Sequence, residues 1–274
     1  MKQTQQVTSI GKMLCVAAMT LALGEAAHAS ALRTFVSGAG NDSNTSTNCA
    51  RPTPCRTLAN ALTVTTAGGE IDALDPAGYG PITINSSLTL VGVPGASISA
   101  PSGGIGVTVN GGTVIVENFE ITGGGASNTT GVSIVTGNLI LENSALRFLT
   151  TGITVAANIK SDVENTNISN NTTGISTNGT GTDFDSFTTY GPTQLRIFGG
   201  SVVGNTTAFL MNSPGNDEYQ VFPTILIADP QTTNTAGNAT FVACTGINAI
   251  SNQTPPCNFV GQYGLTTQSS NQVH

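Results

Sequence analysis

The stretch TTGVSIVTGNLILEN, residues 129–143, is followed by TTGITVAANIKSDVEN, residues 150–165, and both have one plan. Each begins with Thr-Thr-Gly and ends with an apolar residue followed by Glu-Asn. The Glu-Asn pairs begin at residues 117, 142 and 164, at intervals of 25 and 22 residues. The Thr-Thr-Gly series begins at 129, 150, 172 and, with Ala in place of Gly, 206, at intervals of 21, 22 and 34. Such periods are typical of a solenoid, whose coils bury their apolar faces against one another.

Each repeat contains short strands separated by polar turns. The first series consists of residues 82–84, 107–109, 132–134, 153–155, 175–177, 209–211 and 241–243. The second consists of residues 88–90, 114–116, 139–141, 161–163, 195–197 and 225–227. Single apolar residues mark a third series, at Ile98, Ile121, Leu146, Ile168 and Val202. Three short alternating strands per coil predict an all-β fold, a single-stranded parallel β-helix of about seven coils with 21–34 residues each.

Asparagines occupy one corner of the predicted coil. Asn118, Asn143 and Asn165 come directly after the Glu of each repeat, and Gly199 takes the equivalent position in the next coil. Asn and Gly both tolerate a left-handed backbone. We therefore expect a sharp bend here, with asparagine side chains hydrogen-bonded to their copies in neighbouring coils.

An open solenoid end needs a cap, because it exposes strand edges and core. Residues 55–65 can supply a capping helix, since Leu58, Ala61 and Leu62 fall on one helical face. A strand at residues 34–36 precedes it. The sequence thus predicts an N-terminal cap at residues 30–68, a β-helix at 69–244, and a C-terminal cap with a polar tail at 245–274.

Residues 1–29 have the pattern of an export signal. Lys2 and Lys12 lie before an apolar stretch, residues 13–24, that is too short to span a bilayer. Ala27-His28-Ala29 then gives an A-x-A cleavage motif. We expect cleavage after Ala29 and a secreted, periplasmic or cell-surface location. The mature chain would keep 6 of 8 basic and 14 of 15 acidic residues, a net charge of −8. This negative charge disfavours binding to nucleic acid. We also expect a monomer that does not insert into a membrane once the signal is removed.

Four cysteines remain after the signal and lie in two local pairs near the ends of the chain. Three connectivities are possible, and the sequence favours Cys49–Cys55 with Cys244–Cys257. No Cys-x-x-Cys or Cys/His spacing typical of a zinc site is present.

Two motifs near the N-terminus resemble a known group of proteins. The first is Thr34-Phe35-Val36-Ser37-Gly38-x-Gly40-Asn41-Asp42 with the later Cys55-Arg56-Thr57-Leu58, and the second runs from Gly69 to Gly80 as GEIDALDPAGYG. They are similar to exported bacterial proteins of the pectin-lyase-like superfamily. That resemblance implies a right-handed parallel β-helix, in agreement with the usual hand of parallel crossovers. It implies no particular reaction.

The chemistry that this chain can perform is limited by its residue types. Its two histidines are His28, in the signal, and His274, at the end of the polar tail, so a histidine base for Ser or Cys catalysis is missing. Polysaccharide lyases of β-helix fold use calcium-binding carboxylates with an Arg or Lys base. By repeat alignment Arg196 matches Asp162, and Lys160 lies near Glu164. A surface ion pair is the alternative interpretation of this cluster.

The glutamates of the repeat should form a column. Glu117, Glu142 and Glu164 occupy equivalent positions and should stack at about 4.8 Å, where like charges repel. A solvated acidic stripe is one interpretation. A Ca²⁺ site that includes these glutamates and Asp162 is another, and a catalytic carboxylate pair a third.

Two insertions offer a candidate binding surface. The first covers residues 179–191 and the second residues 212–223, and both are expected to leave the solenoid on the same edge of adjacent coils. Acidic and aromatic side chains in such loops suit sugar recognition, whereas loops that only pack on themselves are the alternative. The candidate residues are Asp183, Asp185, Tyr190, Asp217, Glu218 and Tyr219.

The sequence therefore predicts a secreted or surface β-helix protein. We expect it to bind extracellular polysaccharide or to serve as a rigid structural module, without catalysis and without a required cofactor. The alternative is a calcium-dependent uronate lyase with Arg196 or Lys160 as the base.

Overall fold

The computed structural model describes residues 30–156, 159–178, 193–211, 217–221, 226–228, 232–234 and 240–243. The strands in these residues, in chain order, are β1 (Ala31–Val36), β2 (Thr65–Ala73), β3 (Ile82–Ile84), β4 (Leu88–Val91), β5 (Ser97–Ser99), β6 (Ile105–Glu117), β7 (Glu120–Thr122), β8 (Thr130–Glu142), β9 (Ala145–Arg147), β10 (Thr151–Ala156), β11 (Lys160–Glu164), β12 (Asn167–Ser169), β13 (Thr173–Asn178), β14 (Thr193–Phe198), β15 (Ser201–Val203), β16 (Thr207–Met211), β17 (Asp217–Val221), β18 (Leu226–Ala228), β19 (Thr232–Asn234) and β20 (Thr240–Ala243). They form a parallel β-helix.

Three stacks of parallel strands build the solenoid, as the sequence predicts. The first stack runs β3, β6, β8, β10, β13, β16, β19, and the third runs β5, β7, β9, β12, β15, β18. The second stack begins earlier than expected, because β1 and β2 already pair in it ahead of β4, β6, β8, β11, β14, β17 and β20. Strand β1 of the N-terminal cap therefore belongs to the second stack. We also call the three stacks the first, second and third sheets.

Strands β6 and β8 each pass from the first stack into the second. Glycines make the bend possible: Gly112 (φ 70°) and Gly137 (φ 85°) have left-handed backbones. A Cβ on Gly112 would lie 2.2 Å from the Ser87 amide nitrogen, and one on Gly137 would lie 2.4 Å from the Gly112 carbonyl oxygen. Only glycine fits this close approach of successive coils.

Two assignments at the C-terminal end were wrong. Residues 225–227 were expected in the second stack, but β18 pairs with β15 in the third. Residues 241–243 were expected in the first stack, but β20 pairs with β17 in the second, and the first stack continues through β19 instead. The reason is that β17, at Asp217–Val221, already fills the place in the second stack that the sequence analysis left to residues 225–227.

The core is a set of apolar columns inside the solenoid. Val116, Leu141 and Val163 stack in register, and each is fully buried. Ile121, Leu146 and Ile168 form the matching column of the third stack and are also fully buried. This is the in-out alternation that the triplets predict, with each coil completing the burial of the coil before it.

The asparagine corner has the expected backbone but not the expected side-chain ladder. Asn118, Asn143 and Asn165 have φ values of 62°, 48° and 46°. The stacking contact is made by the backbone, since the Asn143 amide donates to the Glu164 carbonyl at 3.0 Å, and the Asn143 side chain is exposed. The corner thus needs the left-handed conformation of Asn, while the side chains of Asn143 and Asn165 face water.

Buried asparagines form a ladder at a different corner, after the third stack. The Asn171 side chain donates to the Asn205 Oδ1 at 2.9 Å and accepts from the Leu149 amide at 3.0 Å. Asn205 continues the ladder by donating to the Ile168 carbonyl at 3.0 Å. Because both residues are nearly fully buried, these bonds satisfy turn backbone groups that water cannot reach.

The N-terminal cap contains the predicted helix, shorter than expected. Helix α1 spans Leu58–Leu62, and it buries Leu58 and Ala61 against the end of the core. A 3₁₀ helix at Asp42–Thr47 precedes it, and the predicted Cys49–Cys55 disulfide is present beside it. The cap therefore covers the first coil with apolar side chains and a cross-linked loop.

The motifs that carry the family resemblance are structural in this molecule. Asp42 accepts hydrogen bonds from the Arg56 and Thr57 amides, both at 2.9 Å. Asp75 accepts from the Ser37 hydroxyl at 2.5 Å and from the Gly38 amide at 2.7 Å. The fully buried Tyr79 donates its hydroxyl to the same residue. Asp42 thus holds the cap together and Asp75 ties the cap to the first coil, which explains the motif without a reaction.

Several sequence predictions lie outside the described residues. These are the export signal at 1–29, the whole first insertion at 179–191, residues 212–216 and 222–223 of the second insertion, the C-terminal tail and the Cys244–Cys257 pair. Within the described residues no helix is long and apolar enough to cross a membrane.

Candidate functional site

The predicted glutamate column is present on the outer face of the second sheet. Glu117 pairs in register with Glu142, and Glu142 with Glu164, directly after the buried Val116, Leu141 and Val163. Strand alternation turns these carboxylates outward, and all three are half-buried rather than fully solvated. We call Glu117, Glu142 and Glu164 the acidic column.

The acidic column is electrostatically strained at its centre. Burial, together with the charges of Glu164 and Glu117, raises the pKa of Glu142. At one end the Asn118 side chain donates to the Glu117 carboxylate at 3.1 Å. Among the described residues no group of three or more His, Cys, Asp or Glu side chains is arranged to hold a metal ion. A calcium site at the column stays a prediction that this geometry does not by itself support.

The weak catalytic candidates lie beside the column in an ion pair. Asp162 and Arg196 are in register, as the repeat alignment predicts. The guanidinium donates from Nε at 2.6 Å and from Nη2 at 2.5 Å to the two oxygens of Asp162. Lys160 begins the same strand and is exposed. The bidentate contact occupies Arg196, so it would have to leave Asp162 before it could act as a base.

Apolar side chains form a second column on the same face, which the sequence analysis missed. Ile115 and Ile140 pair in register, and Ile140 pairs onward with Asp162. Both isoleucines are partly exposed, two residues before Glu117 and Glu142 in their strands. The sequence feature that could have revealed them is an apolar residue at an outward position of the strand, where neighbouring coils have Thr89 or Asp162. We call Ile115 and Ile140 the isoleucine pair.

A charged cluster closes the N-terminal end of this sheet. Arg33 contacts Asp72 Oδ2 through Nε at 2.7 Å and Nη2 at 2.6 Å, and Nη2 lies 2.9 Å from Glu70. A hydrogen bond with Asp72, burial and the Asp72 charge raise the pKa of Glu70, against the effect of Arg33. The other Asp72 oxygen, Oδ1, is buried without a hydrogen-bond partner among the described residues. Sequence reasoning missed this cluster because its members come from two separate strands.

The predicted binding loops are only partly placed. Asp183, Asp185 and Tyr190 lie outside the described residues. Asp217, Glu218 and Tyr219 were expected in a loop, but they belong to strand β17. Its register pairs Tyr219 with Leu195, whose side chain is fully buried, so these residues continue the second sheet rather than an insertion. Their role in binding stays a prediction.

Comparison with known proteins gives one solved structure of related shape. No protein-family model matches the chain, and no curated protein sequence matches it. The crystal structure of pectate lyase Pel9A aligns with 79% of this chain and 76% of its own, at 13% sequence identity and a TM-score of 0.39. That neighbour is itself a pectate lyase. The fold class of this protein, a parallel β-helix, follows from its own strand pairing.

Proposed function

We propose that this protein binds extracellular polysaccharide on the outer face of its second sheet and does not cleave it. The observation that supports this is the isoleucine pair, held in register beside the acidic column on a regular parallel sheet. Apolar side chains can contact the C–H face of a sugar ring, and carboxylates beside them can accept hydrogen bonds from hydroxyl groups. Both features repeat along the solenoid axis at about 4.8 Å, which suits an extended chain ligand.

The residue types of the chain support binding without cleavage. The sequence has no histidine between His28 and His274. Arg196 is held by both oxygens of Asp162. The stacked glutamates also repel a polyuronate chain, so an acidic substrate would need cations to reach this face.

A binding assay tests the proposal. In affinity electrophoresis through gels cast with hydroxyethylcellulose, galactomannan or starch, the wild type should be retarded by at least one polymer. Ile140→Thr should weaken that retardation about fivefold, since roughly 1 kcal/mol of apolar contact is lost. Val135→Thr is the matched control, because Val135 is 44% exposed where β8 leaves the first stack, and its substitution should leave retardation unchanged. Equal effects of the two substitutions would exclude the isoleucine pair as the binding surface.

The rival lyase hypothesis has its own readout. Incubation with polygalacturonate and calcium should give no increase in ultraviolet absorbance from unsaturated products. Activity that is present in the wild type and lost in Arg196→Ala would overturn the non-catalytic proposal.

A further inference from the structure

Phe148 has a backbone conformation that does not suit its side chain. It follows β9 at a corner where the equivalent residues of the next two coils are Asn170 and Gly204. All three have left-handed backbones, with φ values of 58° for Phe148, 56° for Asn170 and 69° for Gly204. Asn and Gly adopt this conformation readily, whereas a bulky aromatic residue is strained in it.

Burial in the core does not account for this aromatic residue. Phe148 is 50% exposed, while the next residue, Leu149, supplies the core contact at 4% exposure. The preceding coil turns through Gly124 and Gly125, where an added Cβ would meet no heavy atom within 4 Å. Phe148 therefore has a strained backbone and a half-exposed side chain, and the turn of the preceding coil has open space at Gly124 and Gly125.

A rigid hydrogen-bond donor lies next to the ring. Arg147 donates from Nε at 2.7 Å and from Nη2 at 2.5 Å to the two Glu120 oxygens, and its guanidinium carbon is 5.9 Å from the centroid of the Phe148 ring. These contacts use two of the five N–H groups of an arginine. Thr122 and Ser169 stand in register on either side of Arg147, one in each neighbouring coil. Residues with hydroxyl groups thus stand on either side of Arg147 in the third stack, and the Arg147 guanidinium is paired with Glu120.

These features together define the chemistry of a ligand. An exposed ring face suits the C–H face of a pyranose, and the remaining guanidinium donors and hydroxyls suit sugar oxygens. Glu120 neutralises Arg147, and the chain carries a net charge of −7. Neither the paired guanidinium nor the net charge therefore favours an acidic sugar. We propose that Phe148 and Arg147 form a binding subsite for a neutral pyranose at the corner after the third sheet. This subsite lies apart from the acidic column, and its role as a polysaccharide contact rests on the proposed function.

The distinguishing experiment combines binding with stability. Phe148→Asn should raise the urea midpoint of unfolding, because Asn relieves the backbone strain, and it should weaken retardation by a neutral polymer about five- to tenfold. Phe148→Tyr should keep both properties of the wild type, because it keeps the ring. Val135→Asn is the control, since Val135 is 44% exposed in β8, outside both proposed binding surfaces, and its substitution should leave retardation unchanged.

Each alternative result has a definite meaning. A Phe148→Asn variant that is retarded like the wild type, while Ile140→Thr is not, would overturn this subsite and leave the proposed function standing. A Phe148→Asn variant that is less stable than the wild type would show that the ring supports the fold, and the strain argument would be wrong. A wild type retarded by polygalacturonate alone would overturn the choice of a neutral sugar, and one retarded by no polymer would overturn both proposals.

Discussion

Whether a polar corner residue of this solenoid can be replaced without loss of stability depends on how the neighbouring coils bury its side chain and bond to it. Asn143 and Asn171 both occupy corners, and in the sequence both look like turn residues. The Asn143 side chain faces water, while that of Asn171 bonds to Asn205 and to the Leu146 carbonyl from a buried position. The same residue type therefore serves backbone conformation at one corner and hydrogen bonding at the other.

This difference predicts unequal effects of one substitution. Asn171→Gly should lower the free energy of unfolding by about 2–4 kcal/mol, because buried groups of Leu149 and Asn205 lose their partner. Asn143→Gly should change it by less than about 0.5 kcal/mol, since Gly accepts the same positive φ. Urea titration of both variants measures the two values. Similar losses would contradict the assignment of the buried ladder to Asn171.

On the scale of a strand, side chains in register act as one electrostatic unit. Glu142 lies between two carboxylates, and its raised pKa means that the folded state binds its proton more tightly than the unfolded chain does. The contribution of Glu142 to stability therefore falls as the pH rises from the ordinary carboxyl range through its raised pKa. The repulsion is present in full once Glu142 is ionised.

Glu142→Gln should accordingly stabilise the protein at neutral pH by less than about 1 kcal/mol, because the column is partly exposed and screened by salt. The difference from the wild type should shrink as the pH is lowered and as salt is added. Chemical denaturation at several pH values gives both dependences. A variant that is less stable than the wild type at neutral pH would indicate that Glu142 has a favourable partner, such as a bound cation.

The strands themselves could be predicted because their apolar triplets recur at nearly constant intervals. Short segments with buried apolar residues recur in all three stacks, so the spacing along the chain has to identify the stack to which a strand belongs. Residues 225–227 and 241–243 were assigned to the wrong stacks for that reason, because the coil that contains β17 has an unusual length. The acidic column and the Asp162–Arg196 pair followed from register alone. Phe148 could not be found this way, because its strain lies in a backbone angle that the sequence does not reveal.

For the whole molecule, stability begins at the cap. Asp75 joins the first coil to β1 through Ser37 and Gly38 and to the buried Tyr79. Hydrogen bonds from Ser37, Gly38 and Tyr79 lower the pKa of Asp75. Its stabilising contribution is therefore complete above the ordinary carboxyl pKa and is lost as the pH falls through the lowered value.

Asp75→Asn should lower the free energy of unfolding at neutral pH by about 1–2 kcal/mol, since a charged acceptor of three hydrogen bonds is replaced by a neutral one. The deficit should decrease in acid, where the wild-type carboxylate also becomes neutral. Guanidinium titration across the acid range measures it. A deficit that stays constant down to the most acidic condition would show that shape rather than charge makes Asp75 important.

The register between coils also limits how the length of such a protein can change through inheritance. Removing residues 130–150 would join Thr129 to Thr151 and place β10 on the first half of β6, with Ile153 meeting Val107 as Val132 does now. Removing a few residues from one strand would instead shift every later column out of phase. Duplication or loss of genetic material would be tolerated in whole coils, so descendants of this chain should differ in length by steps near the 21, 22 and 25 residues seen between its repeats.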